Sequence, residues 1–354
     1  MEKDDYIRAL AGEIKERRSR YDFDTLLFCP ETIYIGGGTP SCVDADKICG
    51  ILECVFREFD ITDPGRMEIT IEVNPGTVTQ EKLRAYREYG INRLSIGLQS
   101  ANDNELKALG RIHSFGDFLR TYEEARKSGF ENINVDLMTA IPQQTPDSLM
   151  HSVDTVVSLK PEHISAYSLI IEEGTPFYEK YGTDEGRPVD EDTERLMYHE
   201  TVNRLAEYGY NRYEISNFAI RGRESRHNSS YWKRKDYFGF GLGASSFVGN
   251  VRYRNTSEFD SYVNQSPAMI PFEEKIRLTR EDGMEEFMFL GLRMSEGVSE
   301  DDFEREFGVS LLSQYGTVIK KFTDEGMLYR ADGRIMLTER GIDYGNHVFA
   351  AFLR

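Results

Sequence analysis

The sequence has no long apolar run, a single tryptophan, four cysteines and a deficit of positive charge. No stretch approaches the ~18 apolar residues that span a bilayer, so no membrane-spanning helix is expected. The opening residues Met1-Glu2-Lys3-Asp4-Asp5 have neither the basic end nor the apolar stretch of a signal peptide, and the expected location is cytoplasmic. Against 43 basic residues stand 61 acidic ones, a net charge of −18, which repels phosphate backbones and argues against a nucleic-acid partner. Cys29, Cys42, Cys49 and Cys54 fall in one short region of a chain expected in a reducing compartment. A disulfide framework is therefore not expected, and the cysteines read as core residues or metal ligands.

What the chain does have is 354 residues, 39% of them hydrophobic, enough for one large and one small domain. Residues 4–20 place Tyr6, Ile7, Leu10 and Ile14 at helical spacing among charges and predict an amphipathic helix. Strand-like runs follow at 32–35, 67–73, 93–98, 132–137 and 163–171, and all but the last are followed by polar, helix-capable sequence. The first of these strands recur roughly every 25 to 40 residues, the spacing of parallel strands joined by crossover helices. Gly36-Gly37-Gly38-Thr39, Glu72 with Asn74, Gln99 and Asp136 fall at or near the C-terminal strand ends, where barrel enzymes assemble their sites.

After Pro188 the pattern changes to a helix at 191–208, a strand at 210–218, and a stretch from 226 to 250 rich in glycine, serine and aromatics. From about residue 280 the sequence reads as three helices, at 282–292, 300–307 and 311–325. Two short strands then flank the hairpin signal Asp332-Gly333, an order that suggests a winged helix. From residue 275 onward there are 11 basic and 15 acidic residues, where a DNA reader would show a basic face. A lid or docking module is the expected use, and three domains follow, at 1–188, 189–274 and 275–354.

The run Tyr34-Ile35-Gly36-Gly37-Gly38-Thr39-Pro40-Ser41 closes a strand with three glycines. These permit positive φ and close approach of a ligand to bare backbone, although such a triplet also serves a tight strand-to-helix turn. It lacks the Lys-Ser/Thr of a P-loop and the spacing of a dinucleotide fingerprint. After it come, in order, Glu72-Val73-Asn74-Pro75-Gly76-Thr77, Arg93-Leu94-Ser95-Ile96-Gly97-Leu98-Gln99-Ser100, Leu109-Gly110-Arg111-Ile112-His113, Asn134-Val135-Asp136-Leu137-Met138 and Tyr213-Glu214-Ile215-Ser216-Asn217-Phe218-Ala219. Together they resemble the coproporphyrinogen III oxidase-like radical SAM proteins over almost the whole chain.

The resemblance implies an α/β fold: a partial parallel (β/α)6-type barrel lacking its first strand, with an accessory α/β segment and a C-terminal winged-helix-like domain. It also implies that Gly37, Gly38, Thr39, Glu72, Gln99, Arg111 and Asp136 hold S-adenosylmethionine (SAM). Carboxylates can accept bonds from ribose hydroxyls or an ammonium, and arginine can grip a carboxylate with paired donors. Taken singly, Glu72 or Asp136 could equally cap a helix or pair with Arg93, and Gln99 could fill a barrel layer. His227-Asn228-Ser229-Ser230-Tyr231-Trp232, followed by Gly239-Phe240-Gly241-Leu242-Gly243-Ala244-Ser245-Ser246, is similar to the HNxxYW and glycine-rich signatures of the HemW branch. It implies haem as ligand, His227 as an iron ligand, flat surface from Tyr231 and Trp232, and an acceptor protein for the haem. A loop anchor is the other reading of His227, and His113 and His163 read as structural.

Radical SAM chemistry uses a 4Fe–4S cluster held by a CxxxCxxC motif. The motif is absent here: Cys42, Cys49 and Cys54 lie at intervals of seven and five, after the glycine loop, and read as small apolar residues of the first crossover helix. N-terminal truncation is the simplest account, and the chain as given is expected to be inactive in radical chemistry. Three further readings are a radical SAM coproporphyrinogen III dehydrogenase, a barrel hydrolase using Glu72 and Asp136 as an acid/base pair, and a winged-helix regulator.

Overall fold

A computed structural model describes residues 2–20, 30–182, 188–264 and 272–353. The described residues form two compact units, one from residues 32–45, 68–182 and 188–225, the other from 2–20, 30–31, 46–67, 226–264 and 272–353.

The first unit is a curled, parallel-rich sheet of seven strands, β1 (Thr32–Ile35), β2 (Glu68–Val73), β3 (Arg93–Gln99), β4 (Ile133–Thr139), β5 (His163–Ser168), β6 (Asn211–Glu214) and β7 (Asn217–Ala219). Their order is β1-β2-β3-β4-β5-β7-β6, with β1 to β5 parallel and the last pairings antiparallel. The α/β half-barrel expected from the resemblance is present. Two expected strands differ in extent. The fifth ends at Ser168, after which the chain leaves the sheet and Ile170 is exposed. The run 210–218 is a hairpin: Glu214 Oε1 accepts from the Ser216 backbone N–H and the Asn217 side-chain amide, and these bonds brace the turn at residues 214–217.

Period-2 alternation explains how this sheet builds a site. On β2, Ile69, Ile71 and Val73 are fully buried on one face, whereas Glu68, Thr70 and Glu72 share the other. The same alternation puts Arg93, Ser95 and Gln99, then Asn134 and Asp136, then His163, Ser165 and Tyr167 on one face. Parallel strands are usually apolar on both faces. Here the inner face is polar. The helices Phe115–Lys127 and Pro146–Ser158 each begin with a capping box, Ser114 with Asp117 and Thr145 with Ser148.

The second unit begins with the helix Glu2–Arg20. The apolar stripe expected there is incomplete: Ile14 is buried, but so are Glu13 and Arg17, which belong to a polar network rather than to an oily face. Beside it lies the helix Ala45–Glu58, joined to it by Lys47–Asp4 at 2.7 Å and by the Cys54 thiol on the Ala11 carbonyl. Cys49 and Cys54 are buried on that helix, as expected for small apolar residues, but Cys42 is not part of it. Cys42 ends the short turn Pro40–Cys42 and is exposed, because the turn forced by Pro40 precedes the helix.

Three antiparallel strands follow, β8 (Ser245–Val248), β9 (Val251–Asn255) and β10 (Phe272–Arg277). The Gly249-Asn250 turn between β8 and β9 has positive φ at both positions, as a two-residue hairpin requires. The chain closes with the helices Arg280–Gly291, Glu300–Phe307 and Leu311–Asp324 and the sheet β11 (Val298–Ser299), β12 (Leu328–Ala331) and β13 (Arg334–Leu337), ordered β11-β13-β12. Asp332 and Gly333 make the expected hairpin, both at positive φ. Met288, Phe303, Phe322 and Ile335 lie in the core of this winged-helix-like part.

Candidate functional site

The C-terminal ends of β1 to β3 carry Gly37, Gly38, Thr39, Glu72 and Gln99, and β4 carries Asp136, whereas Arg111 lies in the loop after the helix Asp103–Ala108. Gly37 and Gly38 leave β1 at φ 84° and 64°. The Gly37 N–H donates to Glu72 Oε2 at 3.0 Å, while Tyr34 donates to Glu72 Oε1 at 2.9 Å. Thr39 is tied to the next strand end by a 3.2 Å bond from Asn74 Nδ2. On β3, Gln99 adopts φ 75°, a conformation L-residues avoid, at the point where the register against β4 shifts. Such strain persists where the surroundings enforce it, and here the Gln99 side-chain Oε1 accepts from the Tyr167 hydroxyl at 3.1 Å.

Asp136 lies next along the same face. Its Oδ1 accepts from Asn134 at 2.7 Å and its Oδ2 from Ser95 at 3.3 Å. Enclosure by protein raises its pKa, which the Asn134 and Ser165 bonds and the Arg93 cation pull back and the Glu72 charge raises further. Burial likewise raises the phenols of Tyr34 and Tyr167 beyond titration near neutrality. The Asp136 and Glu72 charges raise the Tyr167 phenol further, and the Gln99 bond and the Arg111 cation lower it. Arg93 is 2% exposed, and its Nε has no hydrogen-bond partner among the described residues. His113, expected to be structural, is buried with Nε2 at 3.3 Å from the Leu98 carbonyl.

In the other unit His227 begins the helix Arg226–Trp232, which is partly exposed along its length from His227 to Trp232. His227 Nε2 lies 2.9 Å from the Tyr231 hydroxyl, with the rings edge-on at 4.9 Å. Tyr231 in turn meets Tyr237 edge-on at 4.7 Å, and burial pushes the Tyr231 phenol up to about 12. Phe238 and Phe240 stack at 6.1 Å, both against Phe59. Trp232 carries the Arg293 guanidinium over its ring at 4.4 Å, and its Nε1 is buried with no hydrogen-bond partner among the described residues. The glycines are constrained: a Cβ on Gly239 would lie 2.0 Å from the Ser245 carbonyl oxygen.

Residues 26–156 match the Radical SAM superfamily, and residues 278–344 match the HemN C-terminal domain. The chain is 36% identical over 353 residues to the heme chaperone HemW of Bacillus subtilis (strain 168), covering 99% of this chain and 91% of that protein. The chain belongs to the HemW family. Within that family it is also 36% identical over 350 residues to the heme chaperone HemW of Lactococcus lactis, covering 99% of this chain and 89% of the other. It is 34% identical to the mouse mitochondrial radical S-adenosyl methionine domain-containing protein 1, over 88% of this chain and 71% of that one. Coproporphyrinogen III oxidase (HemN) from Escherichia coli, a radical SAM enzyme, has the same fold at a TM-score of 0.82 and 22% identity, over 99% of this chain and 82% of the other.

Membership of the superfamily implies SAM and a 4Fe–4S cluster, and the cysteines can be tested against the latter. Thiolates are needed. Cys49 and Cys54 are buried on one helix, and burial raises both thiols, Cys49 to about 11, so neither is a thiolate near neutrality. Cys29 lies outside the described residues. Among the described residues no group of three or more His, Cys, Asp or Glu is arranged to hold a metal ion. The described residues do not fit the cluster.

Sequence reading missed Tyr34, Ser95, Asn134 and Tyr167 as companions of the named residues. The signal available was the period of two, which puts all four on the same face of the sheet as Glu72, Gln99 and Asp136.

Proposed function

We propose that this chain is a haem-binding chaperone that carries haem at the aromatic segment around His227, passes it to an acceptor protein, and binds SAM at the half-barrel strand ends. The observation that carries the haem reading is the half-exposed cluster of His227, Tyr231, Tyr237, Phe238 and Phe240. It offers flat apolar surface for a macrocycle beside one imidazole suited to iron. Membership of the HemW family supports it. Titrating haem into wild type and His227→Ala and following the Soret band is the test. The variant is expected to shift the band and bind at least about tenfold more weakly, since a lost axial ligand removes more than 1.4 kcal/mol. Superimposable titrations would reject His227 as ligand.

For SAM, Gly37 and Gly38 offer close backbone approach, Glu72, Gln99 and Asp136 accept hydrogen bonds, and Arg111 attracts a carboxylate. Arg111 forms no ion pair among the described residues, which leaves its donors for a ligand. The barrel-hydrolase reading is not favoured, since the relatives at 36% identity are heme chaperones.

Asp136 makes SAM binding depend on pH. Its folded pKa is raised above 3.8, so its contribution to folding is present below 3.8 and lost as pH rises through the folded value. SAM binding runs the other way, since hydroxyl donors need the ionised carboxylate. Affinity should therefore fall as pH drops, with a midpoint above 3.8, and Asp136→Asn should remove that limb. Isothermal titration between pH 8 and 4.5 reads it, and a limb that survives in Asp136→Asn would reject the assignment.

A further inference from the structure

We infer that Tyr213, His163 and Asn134 form a positioning relay that holds the Asp136 carboxylate in the orientation that receives SAM. This rests on the SAM reading above and assigns a role to a histidine and to a Tyr213-Glu214-Ile215-Ser216-Asn217-Phe218-Ala219 segment that the reading leaves unused.

The proton roles resolve in one way only. Asn134 donates through Nδ2 to Asp136 Oδ1 at 2.7 Å and to Ser95 Oγ at 2.8 Å. With its amide hydrogens committed, Asn134 presents Oδ1 to the other side, where His163 Nδ1 stands at 2.6 Å and Ser165 Oγ at 3.1 Å. At 2.6 Å the imidazole nitrogen must donate to that oxygen, so the hydrogen of His163 is on Nδ1. Its Nε2 then accepts from the Tyr213 hydroxyl at 2.9 Å, and that oxygen accepts the Ser225 N–H at 3.3 Å. The chain thus runs from β6 through β5 to β4. His163 is fully buried, and desolvation, with the nearby Arg93 cation, keeps it neutral. The single Ser165 hydrogen lies between two acceptors, Asn217 Oδ1 at 2.8 Å and Asn134 Oδ1 at 3.1 Å, so Ser165 does not bear on the tautomer of His163.

The arrangement has a direction. Every member has its donors aimed toward Asp136, so the carboxylate is held by an amide that is itself held by the imidazole. Removing the Tyr213 hydroxyl leaves the Nδ1–H tautomer facing Asn134 Oδ1 but takes away the donor that anchors the ring at Nε2. The unanchored imidazole shifts, the Asn134 amide moves with it, and Asp136 Oδ1 is held less firmly.

The test uses SAM and the full chain in a double-mutant cycle of Tyr213→Phe and Asp136→Asn, with calorimetry at neutral pH. Tyr213→Phe is expected to weaken SAM binding about fivefold in the wild-type background and to have no further effect in Asp136→Asn, the signature of coupled residues. A merely structural tyrosine would cost the same in both backgrounds, and that outcome overturns the relay. Nitrogen NMR of the histidine side chains gives a readout independent of SAM: His163 is expected as the Nδ1–H tautomer in wild type and in Tyr213→Phe, with its Nε2 resonance shifted in the variant by the lost tyrosine hydrogen bond. An Nε2–H tautomer in wild type overturns the relay whatever SAM does. If wild type binds no SAM, the reading of the strand-end site fails and the relay with it, whereas binding with equal losses rejects the relay alone.

Discussion

Replacing Glu13 by alanine is expected to cost about 3–5 kcal/mol of stability, the range for breaking a buried ion pair from one side. Glu13 is fully buried and accepts four hydrogen bonds: from Arg17 and Asn255 on Oε1, each at 2.8 Å, and from the Gly241 N–H at 2.8 Å and the Tyr262 hydroxyl at 2.7 Å on Oε2. Alanine leaves all four donors facing a void, one of them the guanidinium of Arg17. That cation keeps its 2.6 Å bond to Asn255 Oδ1 and its stacking over Tyr253 at 4.7 Å, which do not replace a carboxylate. Glu13→Gln preserves shape but turns an NH2 toward two donors, and should cost less than alanine. Thermal melting followed by circular dichroism reads both, with a drop on the order of 10 °C expected for alanine. A melting point unchanged within about 2 °C would show that the network contributes little. Because Glu13 anchors Gly241, in the glycine-rich segment that follows His227, haem affinity should fall in parallel.

A single methyl group should damage the proposed SAM site more than the fold. Gly36 is exposed, yet a Cβ there would lie 2.6 Å from Tyr34 Cε1 and 2.9 Å from the Glu72 carboxylate. The methyl has to drive apart the two side chains whose 2.9 Å bond fixes Glu72 beneath Gly37. Gly36→Ala is therefore expected to weaken SAM binding by about 10- to 100-fold, equal to about 1.4–2.7 kcal/mol, while the melting point moves little. Gly50→Ala serves as the control, since nothing lies within 4 Å of its Cβ on the helix Ala45–Glu58; it should bind SAM normally and gain about 0.5–1 kcal/mol of stability. Equal SAM affinity in Gly36→Ala and wild type would remove Glu72 from the site.

Both predictions rest on residues that sequence reading handles unequally. Glu72 announces itself by its place at a strand end beside a glycine loop. Glu13 does not, because in the helix Glu2–Arg20 it is one acidic residue among many, and the partners that distinguish it lie more than 200 positions away.

What the sequence by itself determined was local and ordered: the βα alternation, the strand ends that carry glycine, carboxylate and amide, the helix caps, and the turns at positive φ. Each depends on neighbours within a few residues, through pleat period, capping bonds and backbone sterics, and the motif order along the chain identifies the family. Only the tertiary structure decided which polar residues face one another. It turned the expected strand at 210–218 into a hairpin, put Cys42 outside the helix, and set Tyr213, His163 and Asn134 in line behind Asp136. The physical reason is that a buried polar group is stabilised by partners, not by its own position. Those partners come from strands 29 and 50 residues apart in the chain, and no local pattern records them.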